Sequence, residues 1–519
     1  MTRSKLVRNY RISILGICVA LPLSLSAMPA VADVPGPSVT IRVDATKPGR
    51  VIPKDFLGLS FEANLMHQAW IDPAAGNVDT LLENLGTGNL RFSANQVDNT
   101  AWMPDPDAPV PAWAKEGQHV TPDDLSRVGK LAEATGWSVD LGVNFAHFDP
   151  AAAGDQAREA QARIGNSLRS IQIGNEPNFY LIAPISKAGD RRPLLPATYV
   201  PDARAYRDAI RAAAPGVPIE GPNTAGAGIG NQLIDPVIAS AVVNPWLDTY
   251  ISAFGSESKF LNQHYYPYVN TARVGFTSAS SDLIGGLPSV DKLMSRENSV
   301  KQTTFIRDFV AKAEQAGLEP KLAETNSVAK EGKEGVTNSF GAALWTVDYL
   351  TTAAREGVTG INLHNQPDDC ESYSLICFAD DNARQAGQAQ ANPNYYSLLM
   401  LSQLVGGQIL PTTVESGAAN VSASAVRLPD GTVKVIVNSM DRAFNGDVNV
   451  EIVGEDGTSA SVERLTASSP DAVDGATFAN STVAKDGTFT PSSNENVLGT
   501  DGRYRVRIDA PSAVLLTVD

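Results

Sequence analysis

The chain has 519 residues, 43% of them hydrophobic and 19% charged, with a net charge of −16. The length exceeds one average domain and the composition is globular, so a large domain with a smaller companion is expected. The acidic balance argues against nucleic acid or an anionic membrane as a partner, because both require positive surface.

Residues 1–32 combine Arg3, Lys5, Arg8 and Arg11 with an apolar stretch interrupted by Pro22 and Pro29, and end in Ala30-Val31-Ala32. This is the pattern of a secretory signal peptide cleaved after Ala32, implying a secreted or periplasmic protein; a retained membrane anchor is the competing reading. Loss of those four basic residues moves the net charge from −16 to −20. No later segment is long and apolar enough to span a bilayer. Cys18 leaves with the signal, and Cys370 and Cys377 remain in "CESYSLIC". In an exported protein such a pair is expected to close a small loop as a disulfide, and the scarcity of histidine argues against zinc.

Residues 33–53 include "SVTIRVDATKPGRVIP", a period-two stretch read as strands that join the C-terminal domain. Over 54–406, eight short apolar runs alternate with helical patterns: "FLGLSFE" (56–62), "NLRFSA" (89–94), "SVDLGVNF" (138–145), "SIQIGNEP" (170–177), "IEGPNT" (219–224), "FLNQHYYP" (260–267), "PKLAETNS" (320–327) and "GVTGINLHN" (357–365). Strands alternating with helices imply a parallel sheet buried on both faces, and eight such units can close into an α/β barrel of the (β/α)8, or TIM, type. An open doubly wound sheet is the rival, but "GLSFEANLMH" after the first run is not a phosphate-binding turn. Residues 407–519 change texture to alternating strands separated by "DGT" and "DGR" turns, the pattern of an antiparallel β-sandwich.

In a β/α barrel the active site lies at the C-terminal ends of the strands, so polar residues ending these runs become candidates together. They are Glu62, Asn95, Asn144, Asn175 with Glu176, Asn223, His264 with Tyr265 and Tyr266, Glu324, and His364 with Asn365. Paired carboxylates without a nucleophilic Ser or Cys motif suit glycosidic bond cleavage, in which one acid protonates the leaving oxygen and the other attacks or stabilises the cationic sugar carbon. Glu176 and Glu324 fit those parts. Trp345 and Tyr349, four apart on a helix, read as core packing. Asp368, Asp369, Asp380 and Asp381 lack a calcium-loop spacing, and no metal or cofactor is expected.

"GNEP" at the fourth run and "AETNS" at the seventh resemble the catalytic motifs of the large clan of retaining β/α-barrel glycosidases, and "QHYYP" resembles its His-x-Tyr element. Together with "FLGLSFE", "LRFSANQ", "GNEPNFY", "SFGAALWTVDYL" and "NPNYYSLLML", they look like glycoside hydrolase family 79, the β-glucuronidases and heparanase-like enzymes, over essentially the whole barrel. The resemblance implies a retaining exo-acting β-glucuronidase whose partner is a glucuronic-acid-containing glycan or glycoside. Glu176 is then the general acid/base and Glu324 the nucleophile, Asn175 binds the sugar 2-hydroxyl, Tyr266 orients Glu324, and Glu62 binds sugar hydroxyls; strand alternation lets His264 face the cleft with Tyr266, and Asn95, from its strand end, is a further candidate for the sugar site. A uronate also needs donors for its own carboxylate. In the family these are backbone N–H groups of the loop after the nucleophile and Tyr hydroxyls; here Val328 and Ala329 stand where a Gly-Tyr pair is expected, which makes Lys330 and Tyr373 the candidate donors. That departure keeps open a β-glycosidase of the same clan acting on neutral sugars, such as xylosides or glucosides. A carbohydrate-binding relative without catalysis is a third reading, opposed by the presence of both carboxylates.

Overall fold

In the computed structural model, which describes residues 39–114, 117–180, 195–226, 236–270, 287–493, 495–509 and 511–518, eight parallel strands close into a barrel. In chain order they are Leu57–Glu62, Asn89–Ser93, Ser138–Val143, Leu168–Ile173, Ile219–Ala225, Phe260–Tyr265, Glu319–Thr325 and Gly360–His364. Each pairs with the next, and the eighth returns to the first through Ile361 opposite Leu57. Helices follow the strands, Val78–Glu83, Pro122–Thr135, Pro150–Ile164, Pro196–Ala213, Pro236–Phe254, Arg296–Gln315, Phe340–Glu356 and Pro393–Ser402, with short extra helices Val290–Leu293 and Asp381–Gln385 after the sixth and eighth strands. The expected signal segment 1–32 lies outside the described residues.

Alternation fixes which side chains face the barrel axis. Leu57, Leu59, Phe61, Leu90, Phe92, Leu141 and Ile171 belong to the apolar core shared with the helices. Their neighbours Ser60, Arg91, Asp140, Ser170, Gln172 and Asn362 are equally buried yet polar. The interior of this barrel is therefore a hydrogen-bonded polar stack, where layers of branched aliphatic side chains are usual. Local signals hold the outer helices. Thr121 caps Pro122–Thr135, its backbone N–H donating to Asp124 at 2.7 Å, and Gly136 ends the helix in a left-handed conformation (φ 71°).

The smaller domain departs from the antiparallel expectation in one respect. Val39–Asp44 pairs antiparallel with Thr412–Glu415 but parallel with Gly446–Val453, so the sheet is mixed; a strand arriving from before the barrel is not bound to the hairpin order of its neighbours. Two layers enclose a core that includes Ile41, Val450, Val506, Val435, Val514 and Leu516. The alternate residues Ile436, Leu465 and Leu515 join the barrel's core instead. One layer is thus apolar on both faces, as the run "SAVLLTV" (512–518) requires. Phe340–Glu356 is the helix it meets, with Asn438 donating to the Leu344 carbonyl at 3.0 Å. Trp345 and Tyr349 are buried on that helix, their rings stacked 4.9 Å apart.

Candidate active site

The two glutamates reach the barrel mouth by different backbone devices. Gly174 (φ 68°) ends the fourth strand and Glu176 itself adopts a left-handed conformation (φ 47°, ψ 52°), with its N–H donating to the Asn223 carbonyl at 2.8 Å. A non-glycine residue held there costs on the order of 1 kcal/mol or more, and such strain clusters at functional sites. Asn223 (φ 54°), near the end of the fifth strand, and Ala94 (φ 54°), just after the second, share the feature. In the seventh strand a register shift between Leu322 and Glu324 breaks the alternation, so Lys321 and Glu324 both reach the interior.

Glu176 and Glu324 meet around His264. Its Nδ1 lies 3.0 Å from Glu176 Oε1 and 3.9 Å from Glu324 Oε2, and ligand atoms of all three groups fall within 4.8 Å of one another. The Tyr266 hydroxyl donates to Glu324 Oε1 at 2.9 Å. Beneath them is Arg91, fully buried, which donates through Nη1 to Glu324 Oε2 (2.8 Å) and Ser60 (2.9 Å), through Nε to Gln172 (2.7 Å), and through Nη2 to Asn175 Oδ1 (2.8 Å). Its Nη2 also faces His264 Nε2 at 3.4 Å. A guanidinium only donates, so these partners orient the groups they touch: Asn175 turns its amide nitrogen away from Arg91, and His264 carries its hydrogen on Nδ1, pointing at Glu176. That Nδ1–H, with a cation alongside, suits a hydrogen-bonded carboxylate better than a metal ion.

Charge on Glu324 follows from these neighbours. Burial pushes its carboxyl up, but the imidazoles of His264 and His364, the Arg91 guanidinium and the Tyr266 hydroxyl outweigh burial and hold it at about 2. The same pairing, added to burial, drives the Tyr266 hydroxyl far above its ordinary range, so it remains a donor. Burial pulls His364 down, yet Glu324 and Glu62 prevail and raise it.

The remaining candidates fall around this cluster. Glu62 accepts from the Gln96 N–H at 2.6 Å and lies 3.6 Å from His364 Nε2. Asn95 is exposed and accepts from Asn175 Nδ2 at 3.4 Å. Tyr373 is buried with its ring 6.4 Å from that of Tyr266 and 5.6 Å from His364, inside the loop closed by the Cys370–Cys377 disulfide. Lys330 is exposed and opens a left-handed turn (φ 66°, 62° and 71° at Lys330, Glu331 and Gly332), outside the buried cluster. Asn144 serves the scaffold, bonding the Thr100 carbonyl at 3.1 Å. Sequence reasoning missed Arg91 and Gln172 and gave His364 no role. The signal for Arg91 was present: a charge in the middle of "NLRFSA", at an axis-facing position, needs a buried partner.

A closed β/α barrel carrying a sheet domain, with paired carboxylates at the ends of its fourth and seventh strands, is an arrangement suited to glycosidic bond cleavage. Residues 412–515 match the family model of the glycosyl hydrolase family 79 C-terminal beta domain. The chain thus carries a C-terminal sheet domain of the family 79 type. It is 31% identical over 86 residues to a β-glucuronidase of Aspergillus niger, a match covering 17% of this chain and 15% of the length of that protein. In structure it is similar to a 4-O-α-L-rhamnosyl-β-D-glucuronidase from Fusarium oxysporum, with a TM-score of 0.70 and 19% identity, over 92% of this chain and 100% of the other. A family 51 arabinofuranosidase from Xanthomonas axonopodis aligns at a TM-score of 0.64 and 13% identity, over 93% and 100%. At such identities these two likenesses concern the fold.

Proposed function

We propose that the protein is a retaining exo-acting β-glucuronidase, exported after signal cleavage, which releases terminal β-D-glucuronic acid from glycans or glycosides. The observation that carries the reading is the Glu176–Glu324 pair itself, whose oxygens approach within 4.8 Å. Retaining glycosidases hold their carboxyl groups about 5–5.5 Å apart, whereas inverting ones leave room for a water at about 6.5–9.5 Å.

Glu324, ionised and aligned by Arg91 and Tyr266, attacks the anomeric carbon while Glu176 gives its proton to the leaving oxygen. A covalent glycosyl-enzyme forms and the glycosidic bond breaks. Water then attacks the same carbon, Glu176 takes its proton, and the ester C–O bond breaks to release the sugar and leave Glu324 a free carboxylate. Asn175, with its oxygen held by Arg91, presents Nδ2 to the sugar 2-oxygen. The family 79 match of the sheet domain, the β-glucuronidase relative and the grouping of Tyr373 with His364 beside the carboxylates support a uronate. Val328 and Ala329, in place of the expected Gly-Tyr pair, and the exposure of Lys330 favour the second reading, a β-glycosidase for neutral sugars.

Initial rates on aryl β-D-glucuronide, β-D-glucoside and β-D-xyloside, for the wild type and for Glu176→Gln and Glu324→Gln, test both. A glucuronide preference abolished in either variant is expected. Turnover of only the neutral sugars keeps the mechanism and overturns the substrate.

A further inference from the structure

Arg91 is the upper end of a buried chain of polar groups that runs down the barrel axis, away from the sugar site. Gln172 accepts from Arg91 Nε at 2.7 Å and donates through Nε2 to Glu220 Oε1 at 2.5 Å. Lys321 donates to the same Glu220 oxygen at 3.1 Å and to Asp140, which Arg169 clamps at 3.0 and 2.6 Å. Arg91, Gln172, Glu220, Lys321 and Asp140 are all essentially inaccessible to solvent. The Gln172 amide has one possible orientation, because its oxygen faces a group that only donates and its nitrogen a carboxylate.

We propose that Gln172 and Glu220 are positioning residues for Arg91, holding the guanidinium in place through the stage at which Glu324 is esterified. The inference rests on the retaining mechanism proposed above. Three carboxylates are linked to Arg91: Glu324 directly, Glu176 through His264, and Glu220 through Gln172. When Glu324 bonds to the anomeric carbon, its negative charge is lost and its oxygens become weak ester acceptors. Arg91 keeps its charge in a dry site, where an unbalanced ion is costly, and is then drawn toward Glu176. That carboxylate must at this stage accept the proton of the attacking water. The Gln172–Glu220 arm pulls from the opposite side, so Arg91 is in register when charge returns to Glu324 as the ester bond breaks. Its contribution therefore falls on the second half of the reaction.

The test is steady-state kinetics on a dinitrophenyl β-D-glucuronide, whose good leaving group makes the second step limiting, with Gln172→Met and Glu220→Gln. For Gln172→Met, kcat falls about tenfold and KM falls in proportion, leaving kcat/KM within about twofold, and intact mass shows more glycosyl-enzyme during turnover. Glu220→Gln keeps the shape and both hydrogen bonds but not the charge, and shows the same split to a smaller extent; it decides alone if Gln172→Met does not fold. Equal losses in kcat and kcat/KM, the mark of a merely structural role, or an unchanged KM in both variants, overturn the proposal. If the wild type turns over no aryl glycoside, the proposed function fails and this inference with it; wild-type turnover with parallel losses in the variants overturns this inference alone.

Discussion

Arg91 engages all of its N–H donors: Gln172 at Nε, Ser60 and Glu324 at Nη1, Asn175 and His264 at Nη2. One buried cation thereby orients both halves of the catalytic pair, and an Arg91→Lys change, with a compact ammonium, could not reproduce the fork. The charge coupling at the site has a sign that can be checked. Glu324 is depressed from 4.5 to about 2, so its contribution to stability is complete above the unfolded value and is lost as pH falls through the folded one. His364 is raised from 6.5, so its contribution is complete below 6.5 and is lost as pH rises through the folded value. Comparing the Tm of the wild type with that of His364→Gln is expected to give the larger gap at pH 5.5 and a narrower one by pH 8; a gap independent of pH would contradict the coupling. Glu176 and Glu324 were legible in the sequence because each ends an apolar run inside a short motif. Arg91 and Gln172 were not, because each sits mid-strand, where its partners come from strands distant in sequence.

At the scale of elements, the eight runs that suggested a barrel are its eight strands, and each is followed by a helix. Their period-two alternation was hidden by burial on both sides: the outward residues are apolar and the inward ones polar, with no exposed face to separate them. Close approach makes small residues obligatory at some inward positions. A Cβ on Gly58 of the first strand would lie 2.7 Å from the Asn89 carbonyl oxygen, a backbone atom that cannot rotate away, and would press on the Asn362 amide. Gly58→Ala is expected to destabilise the protein by about 1–3 kcal/mol, as overpacking of a filled interior does, measured by urea unfolding. An unchanged midpoint would mean the barrel can widen there. The register shift before Glu324 was likewise illegible, since a bulge is set by pairing with the neighbouring strands.

For the whole molecule, the barrel and the sheet domain share apolar surface. Leu515, Leu465 and Ile436 project from the sheet into the barrel's core, while Leu516 and Val435 beside them fill the sandwich. Leu515→Ala is expected to cost about 2–5 kcal/mol and to lower the unfolding temperature of the barrel as well, in a single calorimetric transition. Two separate transitions, with only one shifted, would contradict that coupling. The change of texture near residue 407 was visible in the sequence as a shift of period. The parallel insertion of Val39–Asp44 beside Gly446–Val453 was not, because strand direction leaves no mark on composition.

The most direct measurement is the mass of the protein, and of its proteolytic peptides, after incubation with 2-deoxy-2-fluoro-β-D-glucuronyl fluoride, which slows hydrolysis of the glycosyl-enzyme. The account predicts one added sugar, located on Glu324, and none on the Glu324→Gln variant. A label on Glu176 or elsewhere, or rapid glucuronide turnover with no covalent label at all, would contradict the assignment of Glu324 as the nucleophile of a retaining β-glucuronidase.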